Sequence, residues 1–245
     1  MTLRHHLAAA AVLTLAVGLA QAGPVPYTIT VLGGVSKGVD TGGLFFGHDT
    51  TTQMRDGEAF KLVFTVDPNR GFILDDPALH RRSIQGGTLY GASSPISTTL
   101  TINGRDVSMA GDYSAYSLRL INTKAGQDVF GVVVEDSLLP PNSAPSALNV
   151  GVSSSTHDFL GSLDLDSAFN YTLQAGDQSG GHFRILEKAP AGSIYNRYMA
   201  EGDFVVSSIS VSSLGAVTPA VPEPASLWLC SVGLVAATVA RRRRS

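Results

Sequence analysis

Cysteine is nearly missing from this 245-residue chain: the one residue, Cys230, sits in an apolar stretch near the C-terminus. No disulfide can therefore close within the rest of the sequence, and stability has to come from a hydrophobic core. Metal-ligand spacing is missing too. His48, His80, His157 and His182 are scattered, with no H-x-H or H-x-x-x-H pair, which argues against a zinc site. There is no Walker-type loop and no Rossmann fingerprint, so nucleotide chemistry finds no support, and the sequence predicts no cofactor. No internal repeat of fixed period is present, which argues against a solenoid or propeller. Positive charge is sparse outside the ends. Setting aside Arg4, Glu223 and Arg241 to Arg244 leaves 12 basic and 19 acidic residues, a net of −7. That balance argues against nucleic acid or anionic lipid as a partner of the body.

The two ends carry most of the legible information. Arg4, His5 and His6 precede an apolar run from Leu7 to Leu19, and Ala20-Gln21-Ala22 is a small-x-small cleavage site. Residues 1–22 read as a secretory signal peptide, cut between Ala22 and Gly23. At the other end, Pro222-Glu223-Pro224 must be extended, because each proline fixes its own φ and disfavours helix at the residue before it. Ala225 to Ala240 contains no charged residue, and Arg241-Arg242-Arg243-Arg244 follows. At about 1.5 Å per residue the segment 225–240 reaches roughly 24 Å, a short membrane span against a hydrocarbon core of roughly 30 Å. The arginines hold its end in the cytoplasm by the positive-inside rule, and Trp228 suits the opposite interface. Residues 23–220 would then be translocated, initially anchored in the inner membrane. Cys230 reads as a small apolar filler within that span.

This order of Pro222-Glu223-Pro224, apolar span and arginine cluster resembles the PEP-CTERM sorting signal of bacterial exported proteins. The resemblance covers residues 221–245, about a tenth of the chain. It implies recognition by exosortase, a membrane-embedded processing enzyme, and delivery to the cell surface or extracellular matrix. It also implies exopolysaccharide or biofilm association as the setting in which the protein works.

Between the ends the pattern has period two, broken by turn residues. Ala59 to Val66 alternates and ends at Asp67-Pro68-Asn69-Arg70-Gly71. Thr98–Ile102 and Arg105–Met109 flank Asn103-Gly104, which suits the positive φ values of a type I′ hairpin turn. Ala115–Ile121 and Asp128–Glu135 form a second pair. Further strands are expected at Tyr27–Leu32, Phe159–Leu165, His182–Glu187 and Phe204–Val211. Helix is scarce. Asp76-Pro77 can cap and start one turn through Arg82, and Ile194 to Ala200 could form two turns. Long loops are expected over Phe72–Ser97 and Leu138–Val152. The reading is all-β: an antiparallel sandwich or jelly roll over residues 23–211, followed by a Ser/Ala/Pro spacer at 212–220.

Chemistry is hard to find in the body. Gly34-Val35-Ser36-Lys37-Gly38 has the spelling G-x-S-x-G, but a nucleophile elbow needs a helix after the serine, and Val39-Asp40-Thr41-Gly42-Gly43 is a poor one. A glycine-rich loop is the better reading. Asp67, Asp75, Asp76, Asp164 and Asp166 invite a calcium reading, yet position twelve from Asp67 is Ala78 rather than glutamate, so turn and cap roles are preferred. Tyr90, Tyr113, Tyr116, Tyr195 and Tyr198 lie in or beside predicted loops. They are candidates for stacking on sugar rings, with packing in the sheet as the plainer role. The leading expectation is a non-enzymatic exported protein. A carbohydrate-binding module is the alternative, and a secreted hydrolase with a dispersed active site is the third reading.

Overall fold

The computed structural model describes residues 25–47, 51–121, 126–136, 146–187 and 197–214. The expected signal peptide 1–22 with its Ala22–Gly23 bond, residues 215–220 of the expected spacer and the whole of 221–245 lie outside these residues. So do His48, Tyr195 and the side chain of Tyr198.

Among the described residues thirteen strands join in one antiparallel sheet. They are β1 (Tyr27–Asp40), β2 (Thr52–Gln53), β3 (Glu58–Val66), β4 (Phe72–Asp76), β5 (Arg81–Gly86), β6 (Ile96–Ile102), β7 (Arg105–Met109), β8 (Ser114–Leu120), β9 (Asp128–Glu135), β10 (Ala147–Ser154), β11 (Phe169–Thr172), β12 (Gln178–Glu187) and β13 (Arg197–Ser213). The path across the sheet is β4-β5-β8-β9-β10-β12-β13-β1-β3-β6-β7, with β11 on β13 and β2 on β1. The chain is all-β, as expected. The two-sheet sandwich is corrected to one continuous sheet that curls into a half-barrel around its own apolar face.

The alternation seen in the sequence decides which face is inside. On β3, Phe60, Leu62, Phe64 and Val66 are buried while Lys61 and Thr65 are exposed. Ile29 and Val31 of β1, Phe130, Val132 and Val134 of β9, and Leu148, Val150 and Val152 of β10 belong to the same core. The rings of Phe60 and Phe183 flank Phe204, with centroids 4.1 Å apart for Phe60–Phe204 and 5.0 Å for Phe183–Phe204, and Phe45 packs edge-on to Phe183 at 6.1 Å. The Asn103-Gly104 turn has φ of 52° and 71°, the two positive values a type I′ hairpin requires.

Several expectations are corrected. The stretch Phe72–Ser97, read as loop, contains β4, β5 and the start of β6, with 3₁₀ turns at Pro77–Leu79 and Thr88–Tyr90. The Asp76 cap is present, Oδ1 accepting from the Leu79 N–H at 3.3 Å, but Arg81 and Arg82 have already left the turn for β5. The loop expected over Leu138–Val152 yields to β10 from Ala147, residues 138–145 being undescribed. From Arg197 onward the expected helix is strand instead, because β13 pairs with β12 there. Phe159–Leu165 is irregular. Its backbone groups go to side chains: Asp128 Oδ2 accepts from Phe159 and Leu160 N–H at 2.9 and 2.8 Å, and Arg119 donates to the Leu165 carbonyl at 2.7 Å. No ladder can form where the donors and acceptors are already taken.

The outer faces of the two wings differ. On the wing β13-β1-β3-β6-β7, facing positions form hydroxyl rows such as Ser212–Thr28–Thr65–Ser97. Thr28 meets Ser212 at 2.8 Å and Thr99 meets Ser108 at 2.9 Å. On the wing β4-β5-β8-β9, outward positions are Phe72, Gln85, Tyr116 and Val133 in one row, and Leu74, Ser83, Leu118 and Gly131 in the next.

Gly202 tests how tightly the aromatic centre is packed. A Cβ there would stand 2.6 Å from the Phe183 ring. Gly202→Ala is expected to cost about 1–3 kcal/mol through overpacking. Gly151→Ala, whose Cβ would have only Phe130 O at 3.8 Å, is expected to be near neutral. Urea unfolding of the two variants side by side checks this.

Candidate functional site

The serine of the G-x-S-x-G spelling stands inside β1, which runs on to Asp40, with register shifts at Leu32/Gly33 and Val35/Lys37. The loop expected for Gly34–Gly38 is therefore strand. Ser36 Oγ lies 3.4 Å from the Asp203 carbonyl, with no strand-turn-helix around it. It has none of the geometry of a nucleophile elbow. The calcium candidates also go to local roles. Asp67 Oδ1 accepts from the backbone and side chain of Asn69 at 3.0 and 3.1 Å, and Asp164 pairs with Arg82. Among the described residues no group of three or more histidine, cysteine, aspartate or glutamate side chains could hold a metal ion.

The densest polar cluster is one the sequence did not single out. Asp177 Oδ1 lies 2.9 Å from His157 Nδ1, and Oδ2 accepts from the Tyr171 hydroxyl at 2.5 Å and the Gln174 N–H at 2.7 Å. The carboxylate has no exposed surface, while His157 is about a third exposed. Burial alone would push the Asp177 carboxyl up. Hydrogen bonds from Ser154, Tyr171, Gln174 and His157 outweigh it and hold the group well below the usual carboxylate range. Burial first, and then the bond to Asp177, push the Tyr171 hydroxyl up to about 12, so it remains a donor. The cluster has a hydroxyl, an imidazole and a carboxylate, but its connectivity is wrong for nucleophilic catalysis. Both Ser154 Oγ (3.4 Å) and Thr156 Oγ1 (3.1 Å) crowd Nδ1, the nitrogen already facing Asp177. A relay needs the nucleophile on the other nitrogen. What the cluster does is tie the turn after β10 to the turn after β11. The only signal for it in the sequence was the turn dipeptide Gly176-Asp177, twenty residues from His157.

Arg119 plays a parallel role. It is 1% exposed and donates to the carbonyls of Leu165 and Ser167 at 2.7 and 3.0 Å, with its guanidinium 5.2 Å from the Phe169 ring centroid. Burial lowers its pKa, partly offset by Tyr27 and Asp166 nearby. Tyr27, Ile73, Arg82, Asp164 and Asp166 line a cavity of about 80 Å³, water-sized and too small for a sugar.

The tyrosine candidates separate. Tyr90 and Tyr116 come together on the outer face, Tyr90 being raised in pKa by burial and then by the proximity of Tyr116. Phe72, missed because its stretch was read as loop, packs edge-on to Tyr90 at 6.4 Å. Tyr113 turns inward against the core. Beside Tyr90, Thr88, Ser93 and Asp112 line a shallow groove of about 480 Å³. Across neighbouring strands, Gly131, Gly151 and Gly180 lie in register and continue the row from Leu118. Gly151 and Gly180 form part of an outer groove of about 310 Å³ edged by Val129, Ser153 and Gln178.

A family model for the PEP-CTERM protein-sorting motif matches residues 220–244, which include Pro222-Glu223-Pro224 and Arg241 to Arg244. No curated protein and no solved structure matches the chain. The motif indicates an extracellular protein, sorted by exosortase, a membrane enzyme. Among the described residues no helix is long and apolar enough to cross a membrane; the segment 225–240 lies outside them.

The Asp177 cluster gives a signed pH dependence. Its folded-state pKa is depressed, so the unfolded chain takes up the proton first as pH falls. The stabilisation is complete above the unfolded value of about 4 and is lost progressively below it. Asp177→Asn is expected to cost about 2–4 kcal/mol at pH 7, as removal of one partner from a buried charged cluster does. The gap between wild type and variant should narrow at pH 3. Urea unfolding at both pH values measures it, and an unchanged gap contradicts the assignment.

Proposed function

We propose that the chain is a non-enzymatic surface or matrix protein. In this reading residues 1–22 are removed as a signal peptide, the body crosses the inner membrane, and the span 225–240 holds it there until processing at Pro222-Glu223-Pro224. The single observation that carries the reading is the sorting motif at 220–244. The body supports it through what its polar clusters do. Asp128, Asp177 and Arg119 each bind backbone or neighbouring side chains. Exopolysaccharide is the proposed surrounding of the released protein.

A second reading, a carbohydrate-binding module, is favoured by one arrangement. Phe72, Tyr90 and Tyr116 gather on a half-exposed outer face beside a shallow groove lined by Thr88, Ser93 and Asp112, and a second groove lies on β9, β10 and β12. Aromatic faces supply apolar area for stacking on sugar rings at low entropy cost, while serine, threonine and glutamine side chains at the groove edges supply hydrogen bonds.

Two experiments follow. Replacing Pro222-Glu223-Pro224 by three alanines, in a host that has the sorting enzyme, should leave the full-length chain in the membrane fraction; normal release of that variant contradicts the assignment of the motif. Retention of the secreted protein on immobilised polysaccharides should fall about tenfold in Tyr90→Ala and Tyr116→Ala, which corresponds to about 1.4 kcal/mol, while Tyr113→Phe should leave it unchanged. Absence of retention on any glycan removes the second reading and leaves the first.

A further inference from the structure

The sheet has two ends among the described residues, β7 and β4, and they are protected very differently. β7 follows the usual device of charge on an edge: Arg105 and Asp106 are exposed, Asp106 being fixed by Thr101 at 2.6 Å. β4 reads Phe72-Ile73-Leu74-Asp75-Asp76, and its three apolar residues are 37%, 39% and 39% exposed. Leu79 and Leu89 nearby are 48% and 60% exposed. Among the described residues only β5 pairs with β4, so alternate N–H and C=O groups of β4 face outward with no described strand to receive them. An apolar edge with free backbone groups is a template for another strand.

We propose that β4 is a self-association edge, which pairs antiparallel with β4 of a second copy of this chain about a two-fold axis at Ile73. The register follows from the sequence. Faces are conserved across an antiparallel pair only when a residue sits opposite itself or opposite a residue an even number of positions away. Centring on Ile73 sets Ile73 against Ile73 once, on the axis, and Phe72 against Leu74 twice, while Gly71, with φ of 73°, ends the strand and leaves Arg70 in the turn facing the Asp75-Asp76 end of the partner strand. Apolar meets apolar, and opposite charges meet at both ends. Centring on Leu74 instead sets Phe72 against Asp76 and Ile73 against Asp75. Centring on Phe72 sets Arg70 against Leu74. Only the Ile73 register sets all three apolar residues against one another, and such cross-strand pairs are the unit that stabilises a sheet. Arg70 is exposed, and its side chain has no partner among the described residues. A two-fold pairing is closed, so it yields dimers and leaves β7 as the outer edge at both ends.

A five-residue edge buries far less than the roughly 1,200–2,000 Å² of a stable interface, so the contact is weak between free copies. Copies held on one membrane by the anchor 225–240, as the proposed function has it, meet at high effective concentration, where a weak contact suffices. The test therefore uses the full chain in membranes. In a Cys230→Ser background, single cysteines are placed at Ile73→Cys and, on the opposite edge, at Ser108→Cys, and the membranes are oxidised with copper phenanthroline. Facing residues of an antiparallel pair are about 4.5–5.5 Å apart at Cα, within the span of a disulfide. A covalent dimer is expected to form about tenfold faster at position 73 than at position 108. Leu74→Lys, or separately Arg70→Glu in an exposed turn where folding is not at stake, should bring the rate at 73 down to that at 108. Equal rates at the two positions, or a rate at 73 indifferent to both variants, overturns the proposal.

Discussion

The pairing of β1 with β13 holds the body together. The two strands run antiparallel from Tyr27↔Ser213 to Asp40↔Ala200, so the first and last strands of the body form its central seam. β3, β6 and β7 extend from one side, and β12, β10, β9, β8, β5 and β4 from the other. Neither wing can bury its apolar face alone. Phe60 from one wing and Phe183 from the other meet only because Phe204 of β13 stands between them. The rings fit because glycine lines the seam: a Cβ at Gly33 would strike the Phe60 ring, and one at Gly202 would strike Phe183. These positions give up strand propensity for close approach of rings to backbone.

Buried charge in this protein is directed at its own backbone. Asp40, fully buried, accepts from the N–H groups of Leu44, Phe45 and Phe46. Asp128 does the same for Phe159 and Leu160, Asp177 for Gln174, and Arg119 answers the carbonyls that follow. A chain without internal disulfides needs another way to pin loops that cannot join the sheet. A carboxylate accepting two or three N–H bonds meets its own desolvation cost and that of the loop together. In the Asp177 cluster both carboxylate oxygens and His157 Nδ1 are engaged in this way.

Strands were legible wherever one face is wet and the other dry. Ala59–Val66, the Asn103-Gly104 hairpin and Asp128–Glu135 match the structure to within two residues, because period two and turn chemistry are local signals. β4 and β5 were missed because Phe72-Ile73-Leu74 does not alternate and Arg81-Arg82-Ser83 looks polar. Arg82 lies beside buried Arg119 in register, a placement only the tertiary fold supplies. Phe159–Leu165 failed for the opposite reason: it has strand composition, but side chains distant in sequence claim its backbone. The His157–Asp177 cluster, too, is assembled by long-range pairing and left no motif to read. The sorting motif at 220–244 was legible because it is a linear sequence signal.

The seam also decides how the body responds to force. Tyr27 and Ser213 are neighbours, and the Leu214 N–H still bonds the Pro26 carbonyl at 3.0 Å, so the backbone enters and leaves at the same point. Tension applied between those two points would open β1 and β13 like a zipper, one hydrogen bond at a time, the weakest way to load a strand pair. A tether through residue 214 alone, with the front end free, never applies that tension.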